Sequence, residues 1–370
     1  MSLFPHLEPC PSLPTLLIIP SGIGCSIGGY AGDAIPAARL LAAASGLLIT
    51  HPNVLNGASL YWPDSRFQYV EGFGIDKFAS GAIGLKPVLK RKVGLLLDAQ
   101  IESDLRQRHL EVANACRASL GLDIGPVITT DIGLDVNVEV ASSGSSWGGV
   151  RNPDALLSAG ERLRDAGASA IAVVTRFPDD LANQKVDDYR KGKGVDVVAG
   201  AEAVISHLLV SHLGIPCAHA PALKPLEIEE SLDPRAAAEE LGHTFLPCVL
   251  VGLSRAPDMI PLDPDHLTQV HYSGEVLTVH NLGAVVAPNG ALGGEAVLAC
   301  IEKGIPLIAV SNPGVSRVDA QNLGIISNTR NSNFFSASNY VEAAGLILAL
   351  REGINGESLY RPLSQLLEYS

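Results

Sequence analysis

Apolar positions along this chain follow two patterns. Short, nearly continuous runs such as "TLLIIP" (15–20), "GLLLDA" (94–99), "AIAVVT" (170–175) and "AVVAP" (284–288) lack polar alternation, as strands buried on both faces require. Between them apolar residues recur every three or four positions, which predicts amphipathic helices. The combination of strand, small-residue turn, helix and second strand recurs four times. Residues 16–53 end on His51-Pro52-Asn53, 137–178 on Arg176-Phe177-Pro178, 195–221 on His219-Ala220-Pro221, and 285–314 on Ser311-Asn312-Pro313-Gly314. A further strand, helix and strand, "KVGLLLDAQIES" through "GPVITTDIG", lies between the first two units, with Ser103 as its helix cap.

Apolar strands alternating with helices predict an α/β protein with doubly wound, mainly parallel sheets. We expect two similar Rossmann-like domains with a cleft between them: residues 1–140, residues 141–335, and a C-terminal helix, 336–370, crossing back to the first domain. With 370 residues, 47% of them hydrophobic and 18% charged, the chain supports two cores.

A net charge of −13, from 26 Lys and Arg against 39 Asp and Glu, excludes nucleic acid and anionic membrane surfaces as partners. The first residues, "MSLFPHLEPCPSLP", lack a basic segment followed by an apolar one, and no stretch suits a bilayer span. A cytoplasmic setting is the expectation. The six cysteines are widely spaced and fit no disulfide framework. Cys116 and His109 fall on the apolar face of the 103–120 helix, as packed side chains.

Ligands of open parallel sheets bind beyond the carboxyl ends of the strands. That edge would carry His51, Asn53, Arg176, His219, Asn289, Ser311 and Asn312. Three small-residue turns open helices there. The first holds Ser21, Gly22, Gly24, Gly28 and Gly29; the second, "SSGSSWGGVRNP", holds Ser145, Ser146 and Arg151; the third holds Gly290, Gly293 and Gly294. Such turns let backbone N–H groups approach an anion, and Arg255 and Arg317 also follow apolar runs. The expected partner is a small anionic metabolite. Neither GxGxxG nor a P-loop lysine occurs, so no cofactor is assigned. A basic stretch at 179–196, with Lys185, Arg190, Lys191 and Lys193, is a candidate lid.

His51 and His219 are the candidate proton carriers, while His207 and His212, on a Leu/Val-rich helix, fit a core or helix-surface role. Cys25 is a candidate nucleophile. Grouping His51 and His219 with Cys25 or Cys217 matches no ligand spacing, so no metal is assigned.

"GVDVVAGAEAVISHLLVSHLGIPCAHAPAL", "THPNVLNGASLYWP" and "APNGALGGEAVLACIEKGIPLIAVSNP" together resemble an uncharacterised family of cyanobacterial and plant-plastid proteins, over nearly the full chain. The resemblance implies a bacterial cytosolic or stromal setting and brings no reaction. Residues 283–313 are also similar to the C-terminal halves of two-domain glycosyltransferases, with Glu295 the nearby acidic residue. The expectation is an enzyme acting on a small phosphorylated or carboxylate metabolite by acid/base chemistry. The alternatives are a metabolite-binding sensor and a nucleotide-sugar transferase. Self-association is open, since no segment identifies an interface.

Overall fold

The computed structural model describes residues 12–57, 64–178, 183–240, 245–262, 275–325, 333–363 and 365–366. Cys10 and the start of the candidate lid, 179–182, lie outside them.

Two parallel sheets organise the chain. The first consists of β1 (Thr15–Leu17), β2 (Leu48–Thr50), β3 (Phe67–Tyr69), β12 (Ala284–Pro288), β13 (Leu307–Val310) and β14 (Phe334–Ala337). Their order is β3-β2-β1-β12-β13-β14, with every pairing parallel. Ranked along the chain this is the 3-2-1-4-5-6 order of a doubly wound sheet. The second sheet holds β5 (Lys92–Leu97), β6 (Asp123–Thr129), β9 (Ala170–Arg176) and β10 (Cys217–Ala222), in the parallel order β6-β5-β9-β10. Two antiparallel pairs complete the strands: β4 (Ile83–Lys86) with β11 (Asp258–Pro261), and β7 (Val136–Val140) with β8 (Ser146–Val150).

The period of two along a strand decides which core each side chain joins. Leu17, Val286, Ile308 and Val310 point to one face of the first sheet, against α1 (Ile35–Ser45) and α11 (Tyr340–Arg351). Their neighbours Leu16, Val285, Leu307 and Ala309 point to the other, against α3 (Gly72–Ser80) and α10 (Glu295–Glu302). In the second sheet Leu95 and Leu97 meet α4 (Ser103–Leu120) and α9 (Leu246–Leu253), while Leu96 and Val173 meet α5 (Pro153–Asp165) and α7 (Ala199–Leu213). Leu16, Leu17, Leu95, Leu96 and Leu97 are fully buried, each contributing about 1.5–3 kcal/mol.

These sheets apportion the chain differently from a boundary at residue 140. Strands β1–β3 join strands after residue 284, and β5 and β6 join strands from 170–222, so the second sheet is inserted between β3 and β12. Similar apolar runs compete for the same partners, and nothing in a single run says which sheet it completes. Smaller helices, α2 (Pro52–Leu55), α6 (Asn183–Arg190) and α8 (Pro234–Glu240), sit at the strand ends.

The Gly-rich loop after β1 is held by the protein itself. Asn312, 3% exposed, accepts from the Ile27 N–H at 2.9 Å and donates to the Ile27 carbonyl at 2.7 Å and to the Tyr340 hydroxyl at 3.1 Å. Asn53 Nδ2 donates to the Gly28 carbonyl at 2.9 Å, and the Gly28 N–H donates to Asp33. Gly28 has φ +88°, and a Cβ there would lie 2.5 Å from Ile19 Cγ2, so only glycine fits. Asn312→Ala is expected to lower unfolding free energy by about 2–3 kcal/mol, the cost of leaving buried amide groups unpaired. Urea denaturation checks this, and unchanged stability would contradict the clamp.

Candidate functional site

Each parallel sheet has one point where connections leave in opposite directions, and a ligand site is expected there. In the second sheet this point, between β5 and β9, is sealed. Asp98 is fully buried and its carboxylate accepts from the backbone N–H groups of Gln100, Leu134 and Arg176, each at 3.1 Å. The Arg176 guanidinium turns to Glu102, with Nε–Oε2 at 2.8 Å and Nη2–Oε1 at 3.0 Å. Arg176, expected on the ligand edge, therefore closes the site that its strand would have opened.

The corresponding point of the first sheet, between β1 and β12, opens onto a cavity of about 1040 Å³ between the two sheets. Ile18, Pro20 and Ser21 come from the end of β1; His51, Asn53 and Asn56 follow β2; Glu71 follows β3; His219 and Pro221 lie on β10. Helices α7 and α10 contribute their first turns, with Ala199, Gly200 and Ala296, Val297. This volume suits a small-molecule ligand.

Three helices starting at this cavity are capped by carboxylates of the chain. The Glu71 carboxylate accepts from Phe73 N at 2.8 Å in α3, Asp196 from Val198 N at 3.0 Å before α7, and Asp76 from Ala296 N at 3.1 Å in α10. Ser146 Oγ adds a fourth acceptor, for Gly200 N at 2.7 Å. The N-terminal dipole ends that would draw an external anion are thus already filled. Glu202, Glu227, Glu239, Glu240 and Asp187 add to an acidic lining, against Arg190 and Lys224.

Crowding carboxylates in a cleft favours their protonated forms. Burial, reinforced by the charge of Glu202, pushes Asp196 up to about 7 despite its backbone hydrogen bonds. Burial and then Asp196 hold Glu239 well above the usual carboxylate range. The Tyr189 hydroxyl donates to Glu239 at 3.0 Å, and Ala31 N–H donates to the same carboxylate, tying the Gly-rich loop to α6 and α8. Tyr30 stacks on Tyr189 with ring centroids 4.2 Å apart.

Two carboxylate–histidine pairs reach the cavity, both built on α7. His219 lies between Glu202 and Thr175, with Nδ1 3.2 Å from Glu202 Oε1 and Nε2 2.5 Å from Thr175 Oγ1. Phe177 packs edge-on against its ring. A proton on Nδ1 facing Glu202 leaves Nε2 to accept from the threonine hydroxyl. The His219 side chain is 2% exposed and that of Glu202 27%, so the carboxylate faces the ligand space and the imidazole stands behind it. The second pair is reversed. His207 Nδ1 is 2.6 Å from Glu71 Oε1, and the side chains are 41% and 6% exposed. Burial alone would lower the His207 pKa, but hydrogen bonding to Glu71 and its charge raise it on balance. Gly72 admits this ring, since a Cβ would stand 2.9 Å from His207 Cε1. His207 is a half-exposed residue on the surface of α7 that also lines the cavity.

Of the residues singled out by sequence, Ser21, His51, Asn53, Ser146, His219 and Gly294 line the cavity. Gly24, Cys25 and Gly29 line a separate pocket of about 380 Å³ with Tyr30, Gly192, Gly194 and Arg235. Gly22 and Gly28 shape the loop, its fastening Asn312 is buried, and Gly290 and Gly293 pack against the 316–318 segment. Asn289, Ser311 and Arg151 are exposed away from the cavity, as are Arg255 and Arg317, and Ser145 bonds Ser143. Burial pushes the Cys25 thiol up to about 11, with Asp33 adding to the effect, so at neutral pH it is no activated nucleophile. Among the described residues no group of three or more His, Cys, Asp or Glu is placed to hold a metal ion. Sequence reasoning missed Glu71, Asp196 and Glu202. Their signals were an acid directly after a strand, an acid before a helix, and a lone Glu in the first turn of an otherwise apolar helix.

His51 is placed differently from a proton carrier. Its Nε2 accepts from the buried Ile19 N–H at 3.0 Å, joining the ends of β1 and β2. Burial lowers its pKa from 6.5 to about 4, so it is neutral at pH 7.

Fold and cleft define a two-sheet, doubly wound α/β protein with an acidic, ligand-sized cavity at its strand ends. Residues 14–360 match the family described as Protein of unknown function (DUF3326), and the chain belongs to that family. It is 48% identical over 349 residues to a protein named uncharacterized lipoprotein in Synechococcus sp. (strain ATCC 27144 / PCC 6301 / SAUG 1402/1), covering 94% of this chain and 93% of that one. Among the described residues no helix is long and apolar enough to cross a membrane.

His51→Ala leaves the Ile19 N–H unpaired and is expected to cost about 2–3 kcal/mol at pH 8. The folded state resists protonating His51, so its contribution is full above pH 6.5 and is lost as pH falls toward 4. The difference between wild type and variant should therefore shrink by about 2 kcal/mol at pH 5. Denaturation at the two pH values reads it, and a pH-independent difference would contradict a buried neutral imidazole.

Proposed function

We propose that this protein is an enzyme that moves protons on a small metabolite held in the cleft between its two sheets. The observation that carries the reading is the double pairing on α7: Glu202 backed by His219, and His207 backed by Glu71, opening into one cavity. Glu202 and His207 are the groups placed to take and give protons, and their partners fix orientation and charge. His219 thus keeps a part in the chemistry as a positioning residue, and His51 keeps a structural one. Asp196, with its raised pKa, supplies a further proton near neutrality. Ile18, Ile75, Val197 and Val297 supply apolar wall beside these groups. The reaction class that fits is proton abstraction and return, as in an isomerase or lyase, with no cofactor assigned.

Solvent exchange tests this without knowledge of the substrate. A cyanobacterial metabolite extract incubated with the protein in D2O should show deuterium entering at least one metabolite by mass spectrometry. Glu202→Gln and His207→Gln should each slow that entry by about 100-fold or more, the usual worth of a general acid or base. Undiminished exchange in both variants would contradict the assignment. An extract left unchanged by the wild-type protein would favour the sensor alternative.

A further inference from the structure

Resting on the reading of this cleft as the ligand site, we infer that its ligand carries a positively charged amine on an aliphatic body.

Three observations lead there. The anion-attracting ends of α3, α7 and α10 are occupied by Glu71, Asp196 and Asp76, so an incoming phosphate or carboxylate would find those N–H donors already taken. The two cations of the lining are engaged: Arg190 holds Glu240 at 2.9 and 3.1 Å and also the Glu227 carbonyl, and Lys224 stands 3.8 Å from Glu102. Ser206 is the third. It is 6% exposed, it lines the cavity, and its hydroxyl has no hydrogen-bond partner among the described residues.

The Ser206 hydroxyl faces the cavity with no bond to a described residue, so its oxygen is free to accept from a ligand donor there. Ser206 lies four residues after Glu202 on α7, one turn along the same helix face. A carboxylate and a hydroxyl oxygen side by side form an acceptor pair. An ammonium group brings three donors and no acceptor, which matches that pair and gains from the surrounding charge. An acceptor-rich anion finds few free donors in this acidic lining. Ile18, Ile75 and Val297 provide apolar wall for the rest of the molecule, which selects an aliphatic body over a polyhydroxylated one.

A thermal-shift measurement with putrescine and spermidine tests the inference. NaCl and MgCl2 at matched ionic strength serve as controls for general screening of an acidic protein, and phosphate and citrate as anionic competitors. At concentrations far above Kd, putrescine or spermidine should raise Tm by about 3–5 °C, with the salts and anions flat. Glu202→Gln and Ser206→Ala should each lose at least about two thirds of that rise; Ser206→Ala, which leaves every charge in place, decides if Glu202→Gln folds poorly. No rise beyond the salt controls, an equal rise in both variants, or stabilisation by phosphate or citrate would overturn the inference. Binding is read here without turnover. An amine-specific shift with no deuterium exchange keeps the ligand class and removes the catalytic reading, whereas exchange with an anion-only shift does the reverse.

Discussion

Parallel sheets bring helix N-termini to one edge, and each N-terminus presents unpaired N–H groups that must be satisfied. This chain satisfies three of them inside its main cavity with its own carboxylates, Glu71, Asp196 and Asp76. Much of the cleft follows from that arrangement. Carboxylates of the cleft pair with histidines and raise one another's pKa values. They also fasten the two halves together, since Glu239 from the α8 side accepts from Ala31 in the loop after β1. Acidic groups concentrated in this way oppose folding when all are ionised. Their retention together in one cleft is what the proposed proton-exchanging site would need.

The contrast between the two sheets sharpens the point. Both are doubly wound, and both have a place where a ligand is expected. Asp98, Arg176 and Glu102 close that place in the second sheet, while the first leaves it open beside Glu71, Glu202 and His219. The second sheet thus forms one wall: it lends β10 and α7 to a cavity centred on the first. Residues 14–360, shared with the family, run from the edge of β1 through α11 and so include both sheets.

Much of this architecture was legible in the sequence because a strand buried on both faces cannot alternate. "TLLIIP" and "AVVAP" announce themselves, and the parallel, doubly wound class follows. The apportioning of strands between sheets was not legible. β1 pairs with β12 across more than 250 residues of chain, and no local pattern encodes a partner that distant. Within the site, the edge was legible and its occupants were not. His51 and Asn312 stand at strand ends of the first sheet and Arg176 at a strand end of the second, so the expected single edge is two, and position does not say which way a side chain turns. Each turned inward to satisfy backbone or carboxylate groups. Glu202 and His207 were obscured by the apolar helix around them, whose exposed edge became visible only once α3 packed alongside.

The central claim is that this cleft holds a carboxyl proton at neutral pH. Titration of protein carrying 13C-labelled aspartate, followed by carboxyl chemical shift, measures it directly. We predict an aspartate signal titrating near pH 7 that is absent in Asp196→Asn, beside one near pH 6 from Asp33. Finding no Asp196-dependent signal titrating above pH 5 would contradict the account.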